Sequence, residues 1–229
     1  TFDSAPQVGS IGVALRTLRA GLPAGTRVAI LGGQPDLGRY CVFGNLFARA
    51  GAAGEVYRID RHPTMSRHPV TPMGEGDLRR HLALQGLADL PLAPWTLHQT
   101  DPSALAQAFE AAGDDGLLFD VHDNTDLQRI GDLLWHRAQA APVLAVGASS
   151  VVQALAPHMA AAPATLPHLL PATGPVFALA GSLSPVTAEQ VAAAAPHFER
   201  VWLDPQALCH DAAWLSQQAQ RLADALQAG

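Results

Sequence analysis

The feature that most constrains this chain is an alternation: short apolar runs, mostly without a polar face, take turns with segments of helical spacing. Residues 27–31, 55–59, 116–121, 142–146, 175–180 and 200–203 read as strands, and runs apolar on both faces belong to strands covered on two sides. Between them, 37–50, 76–87, 103–111, 125–140, 150–160 and 186–195 have helical spacing. A last helix over 211–227 carries Ala212, Leu215, Ala219, Leu222 and Leu226 three or four apart. This pattern predicts an α/β fold, a mainly parallel sheet with flanking helices, and ligands beyond the carboxyl ends of the strands. The Pro-rich stretch 160–175 has no sustained period and reads as a linker. The residues beyond this linker hold too few elements for an independent sheet, so a second unit is expected to be only partly present.

Composition narrows the chemistry. All 14 basic residues are arginine, which removes every mechanism that needs a lysine from this chain: the P-loop clamp, the protein-kinase strand lysine, a Schiff base. The formal net charge is -6 and the arginines are dispersed, so there is no basic footprint and nucleic acid is not an expected partner. Cys41 and Cys209 lie far apart without CxxC spacing; neither a thiolate metal site nor a disulfide framework is indicated, and a reducing cytoplasm fits. No apolar stretch approaches the roughly 20 residues of a membrane span, and the first residues do not form a signal peptide, so no membrane partner is expected. The chain does not begin with Met, and both ends read as interior sequence of a longer protein.

The densest polar constellation spans 54–73. A strand carrying Tyr57 and Arg58 empties into a loop with Asp60, Arg61, His62, Ser66, Arg67, His68 and Thr71, kept from helical form by Pro63, Pro69 and Pro72. Arginines, histidines and an acid at a strand's end suit an anionic, hydroxyl-rich ligand; the plainer alternative is a solvated loop whose charges pair with one another. Zinc at His62 and His68 lacks a third ligand at recognisable spacing. A second candidate is 180–187, AGSLSPVT, which follows an apolar run and opens a helix with Ser184 as N-cap and Pro185 in its first turn; such a terminus suits phosphate oxygens, or is simply a well-capped helix. Ser149 with Asp204 and His210 has the order of a hydrolase triad, but the GxSxG elbow fails at Val151. The glycines after the first strand, Gly32 and Gly33, do not make GxGxxG. Arg39, at the start of the helix expected there, faces a ligand anion or solvent; Asn45 turns its amide to a ligand or caps a turn.

Four groups of residues resemble the four-carbon acid sugar kinase family: Thr1-Phe2-Asp3-Ser4-Ala5-Pro6 with Gly9-Ser10-Ile11-Gly12; Gly38-Arg39-Tyr40 with Phe43-Gly44-Asn45-Leu46-Phe47; Tyr57 to Pro63 with His68 to Met73; and Gly181 to Thr187. The resemblance covers nearly the whole chain, and the block 60–73 is its most specific part. It implies an ATP-dependent phosphorylation of threonate, erythronate or 3-oxo-tetronate, with Mg2+, in the cytoplasm. Residues 1–170 would be most of the acid-sugar domain and 171–229 the beginning of the nucleotide domain. By the same resemblance Ser4, Arg39, Asn45, Asp60, Arg61, His62, His68 and Thr71 would bind the acid, and Gly181, Ser182, Ser184 and Thr187 the nucleotide. The family's Asp-Asp-x-Thr-Gly strand, which carries the expected catalytic acid, would lie ahead of Thr1, and its Gly-rich nucleotide motif beyond Gly229. A non-catalytic module that recognises an acidic metabolite is the alternative function, and either a monomer or a homodimer is compatible with the sequence.

Overall fold

A computed structural model of the chain describes residues 2–51, 53–159, 171, 173–182 and 184–228; the expected linker at 160–175 lies largely outside them. The chain divides into two compact units, residues 1–161 and 162–229.

The first unit runs α1 (Ile11–Ala20), β1 (Arg27–Leu31), β2 (Arg39–Val42), β3 (Asn45–Arg49), β4 (Val56–Arg58), α2 (Leu78–Ala83), β5 (Leu92–Ala93), α3 (Trp95–Thr100), α4 (Pro102–Ala111), β6 (Leu117–Phe119), α5 (Asn124–Ala140), β7 (Val143–Gly147) and α6 (Ser150–Leu155). Four strands form a parallel sheet in the order β5-β6-β1-β7, with Ala29 opposite Leu117 on one side and Ala145 on the other. β1 is central for a reason visible in its sequence. After Arg27 it has no polar residue, so successive side chains enter two different cores. Val28 and Ile30 join Leu15, Leu78, Leu82 and Leu118 on one face, while Ala29 and Leu31 join Phe109, Phe119, Ile130 and Leu134 on the other. α5 feeds the second core through Leu127, Ile130 and Leu134, one helical stripe. Its first turn is fixed by Asp123, which accepts the Asp126 N–H at 2.9 Å. The α/β architecture expected from the alternation is the one formed.

Residues 37–50 correct one expectation. They are not helical but fold into the β2–β3 hairpin, which with β4 makes a separate antiparallel sheet in the order β2-β3-β4. The strand expected at 55–59 therefore pairs outside the parallel sheet. Phe43 and Gly44 form the two-residue turn inside the Val42–Asn45 pair, with φ of 50° and 78°. A turn left-handed at both central residues matches the twist of hairpin strands and has no place in a helix. Arg39 accordingly begins a strand rather than a helix.

In the second unit the elements among the described residues are α7 (Pro185–Ala194), α8 (Pro205–His210) and α9 (Ala212–Ala228), and none of those residues is buried. The strands expected at 175–180 and 200–203 are not formed. A strand needs a neighbour to take its N–H and C=O groups, and none is present among the described residues of this unit. No helix among the described residues is long and apolar enough to cross a membrane.

Candidate functional site

The polar loop after β4 spends much of its chemistry on itself. Arg58 Nε donates to Asp60 Oδ1 at 2.7 Å while its Nη2 takes Oδ2, and this pairing with Arg58 holds the Asp60 carboxyl below its ordinary value. His62 is buried; its Nδ1 accepts the N–H groups of Thr64 and Met65, each at 3.2 Å, and its Nε2 lies 3.4 Å from the Arg49 carbonyl. His68 repeats the device: its Nδ1 accepts from Val70 N–H at 3.3 Å and Thr71 N–H at 3.0 Å, with Thr71 Oγ1 at 3.1 Å. In each His-Pro pair the imidazole caps the turn that the proline begins. Arg61 is exposed. Arg39 pairs with Asp3 at 3.2 Å, and Asn45 donates to the Phe43 carbonyl at 3.2 Å.

A cavity of about 330 Å³ gathers a different selection, with Ser4, Gly9, Ser10, Thr71, His81 and Gln85 in its wall. Thr71 brings His68 behind it, and the Ala5 N–H bonds the Thr71 carbonyl at 3.4 Å. Two of the predicted acid-binding residues, Ser4 and Thr71, thus meet, although they come from motifs far apart in sequence. His81 and Gln85, one turn apart across the end of α2, were not singled out by the sequence. Gln85 is locked in place: its Oε1 accepts the Gly12 N–H at 2.9 Å, its Nε2 meets His81 Nε2 at 3.2 Å, and Arg16 Nη1 donates to its carbonyl at 2.9 Å. A Cβ on Gly12 would come within 2.5 Å of that carbonyl oxygen, and one on Gly9 would strike the Gln85 amide. The spacing of Gly9 and Gly12 was the available signal.

The carboxyl edge of the parallel sheet is polar as well. Asp120 is fully buried and accepts three backbone N–H groups, from Phe43 at 2.7 Å, Gly44 at 2.9 Å and Trp95 at 3.1 Å. Ser149 Oγ donates to Gln34 Oε1 at 2.8 Å, so its proton goes to an amide oxygen rather than to a base, and a nucleophilic role gains nothing. Gln153 and Asn124 both donate to Asp36, at 2.6 and 2.7 Å. His122, Asp123 and Asp126 bring ligand atoms within 4.8 Å of one another. Asp126 Oδ2 already takes the His122 N–H and lies 3.0 Å from His122 Nδ1, while Asp123 caps α5. Mg2+ prefers oxygen ligands and keeps several waters; here one of the three donors is an imidazole nitrogen, and each carboxylate already accepts a backbone N–H.

In the second unit Ser184 is the N-cap of α7: its Oγ accepts the Val186 N–H at 3.3 Å, and its own N–H donates to Ser182 Oγ at 3.1 Å. Gly181 precedes this turn and Thr187 lies in the first turn of the helix; Leu183 is outside the described residues.

A parallel α/β sheet beside a hydroxyl-lined cavity is an architecture of small-molecule-binding domains. Residues 1–155 match the family described as the sugar-binding N-terminal domain. The chain belongs to that family. It is 42% identical over 215 residues to the 3-oxo-isoapionate kinase of Paraburkholderia graminis, covering 91% of this chain and 45% of that protein. It is 30% identical over 220 residues to the 3-oxo-tetronate kinase of Methylobacterium radiotolerans, covering 91% of this chain and 48% of that protein. The chain therefore spans just under half the length of these curated relatives. The crystal structure of Haemophilus influenzae protein HI1011 shares the fold, with a TM-score of 0.61 at 24% identity over 98% of this chain and 52% of that one.

Proposed function

We propose that this chain is the acid-binding part of an ATP-dependent kinase that moves a phosphoryl group to a hydroxyl of a four-carbon sugar acid, threonate, erythronate or 3-oxo-tetronate, or of a close relative such as 3-oxo-isoapionate. The observation that carries the reading is the meeting of Ser4 and Thr71 in one cavity beside Ser10. The Ser4 and Ser10 hydroxyls can each donate and accept, and Thr71, whose hydroxyl proton goes to His68 Nδ1, can accept; such a mixture is what a polyhydroxy acid needs around it. His68, bonded to Thr71, orients one of them. Asp60 and His62 take part by shaping the loop that carries Thr71, with Arg61 exposed beside them, while Arg39 pairs with Asp3 and Asn45 braces the hairpin turn. Phosphoryl transfer asks the protein chiefly for positioning and charge neutralisation, so a cavity that fixes the accepting hydroxyl is the contribution expected of this part. Gly181, Ser182, Ser184 and Thr187 would hold phosphate oxygens of ATP, because the first-turn N–H groups of the ten-residue α7 suit an anion. No step is assigned to Mg2+. A reducing, cytoplasmic setting belongs to the same reading, with Cys41 and Cys209 as free thiols.

Isothermal titration with threonate, erythronate, 3-oxo-tetronate and 3-oxo-isoapionate tests it. One of the four binds, and Thr71→Val weakens that binding by about tenfold, as the loss of a hydroxyl partner implies. If none binds, with or without ATP, the reading is wrong.

A further inference from the structure

The wall of the cavity contains a hydrogen-bond donor whose identity can be worked out from its neighbours. The Gly12 N–H can only donate, so the Gln85 atom 2.9 Å from it is the amide oxygen. That orientation turns the Gln85 NH2 toward His81 Nε2, 3.2 Å away. An amide NH2 has no acceptor to offer, so Nε2 must be the bare nitrogen of the ring. The neutral imidazole then carries its proton on Nδ1. His81 is 1% exposed and its Nδ1 has no hydrogen-bond partner, which leaves a buried N–H in need of an acceptor.

A second set of donors faces the same space. Ser10 and Ile11 line the cavity at the start of the ten-residue α1. Ser10 gives the helix no side-chain cap, and Gln85 satisfies only the Gly12 N–H. The Ile11 N–H takes no partner among the described residues. Helix N-termini leave such groups to be met by a cap, water or a ligand, and they favour negative charge.

We propose that the Nδ1–H of His81 and the opening N–H groups of α1 together receive the carboxylate of the acid, with Gln85 as the positioning residue that sets the His81 tautomer. The proposal rests on the cavity being the acid site. Burial pushes the His81 pKa down, against a smaller upward pull from Glu75, so the ring meets the ligand as a neutral donor. No guanidinium is needed: two or more neutral donors with helix polarity behind them hold an anion without a buried countercharge. Gly9 and Gly12 are then part of the same device, since a side chain at either would displace Gln85.

The experiment has two parts. Nitrogen-15 NMR of the ligand-free chain reports a protonated-type resonance at His81 Nδ1 and an unprotonated-type resonance at Nε2; the opposite assignment overturns the inference whatever the protein binds. Titration then compares threonate with threitol, which carries CH2OH in place of the carboxylate. His81→Gln weakens threonate by about tenfold or more and leaves threitol unchanged. His81→Asn, whose amide nitrogen falls near the Nδ1 position, retains more of the affinity. Equal losses for both ligands, or none for threonate, refute the carboxylate assignment while the acid site stands. If the unaltered chain binds none of the four-carbon acids and not 3-oxo-isoapionate either, the reading of the cavity itself fails and the carboxylate assignment goes with it.

Discussion

Replacing Asp120 with asparagine changes almost nothing in shape and much in bonding. The carboxylate sits fully buried at the end of β6, where Oδ2 takes the N–H groups of Phe43 and Trp95 and Oδ1 takes that of Gly44. It thereby ties the tip of the β2–β3 hairpin and the start of α3 to the parallel sheet. An amide offers one acceptor where the carboxylate offers two. Its better orientation puts the oxygen at the Oδ2 position, keeps two bonds in neutral form and turns NH2 against the Gly44 N–H. An orphaned buried donor costs about 1–3 kcal/mol, and the two surviving bonds each fall from about 2 to about 1 kcal/mol on losing the charge. The sum, about 3–5 kcal/mol, is a large share of the stability of a typical domain. Urea unfolding followed by tryptophan fluorescence and far-UV dichroism reads it: with m of about 2 kcal/mol per M, the midpoint falls by about 1.5–2.5 M. Asp89→Asn, an exposed acid on the same unit, controls for the loss of one charge. A midpoint for Asp120→Asn within about 0.5 M of the unaltered chain would show that the three bonds do not brace the hairpin and that the reasoning is wrong.

The cavity wall supports two further expectations. Gly12→Ala forces a methyl against backbone that cannot swing away, the Gln85 carbonyl at 2.5 Å, and lowers stability by about 1–3 kcal/mol, whereas Gly113→Ala, with nothing within 4 Å of the new Cβ, changes the thermal midpoint little. His81 gives a pH signature: its folded pKa lies below the ordinary 6.5, so below 6.5 the unfolded chain binds a proton that the folded chain refuses. Stability drops as pH falls from 6.5 toward the folded pKa, by at most about 1.4 kcal/mol per unit from this group. Unfolding measured at pH 7 and 5.5 shows a smaller acid loss in His81→Gln, and equal losses would count against a ring buried in its neutral form.

The parallel core was legible because β1 and β6 are apolar on both faces, a pattern that only a covered strand explains. The hairpin was not, because small and apolar residues fill Gly38–Arg49 closely enough to imitate a helical stripe. The deciding residue is Gly44, whose positive φ becomes visible only once Asp120, 76 residues away, collects the turn's N–H. The strands expected in the second unit failed for the complementary reason: an apolar run specifies a strand only if a neighbour exists to pair with it. At the site, the sequence offers candidate residues and cannot tell which are spent on one another. His62 and His81 are both buried histidines near the first unit's core, yet both nitrogens of His62 face backbone partners within the chain, while His81 has one nitrogen held by Gln85 and the other unmatched. What separates a structural imidazole from a ligand-facing one is therefore the state of its second nitrogen. In this chain that state is set by Gln85, four residues after His81 and just past the end of α2, and by Gly12, 73 positions from that glutamine, a long-range coupling that no local motif records.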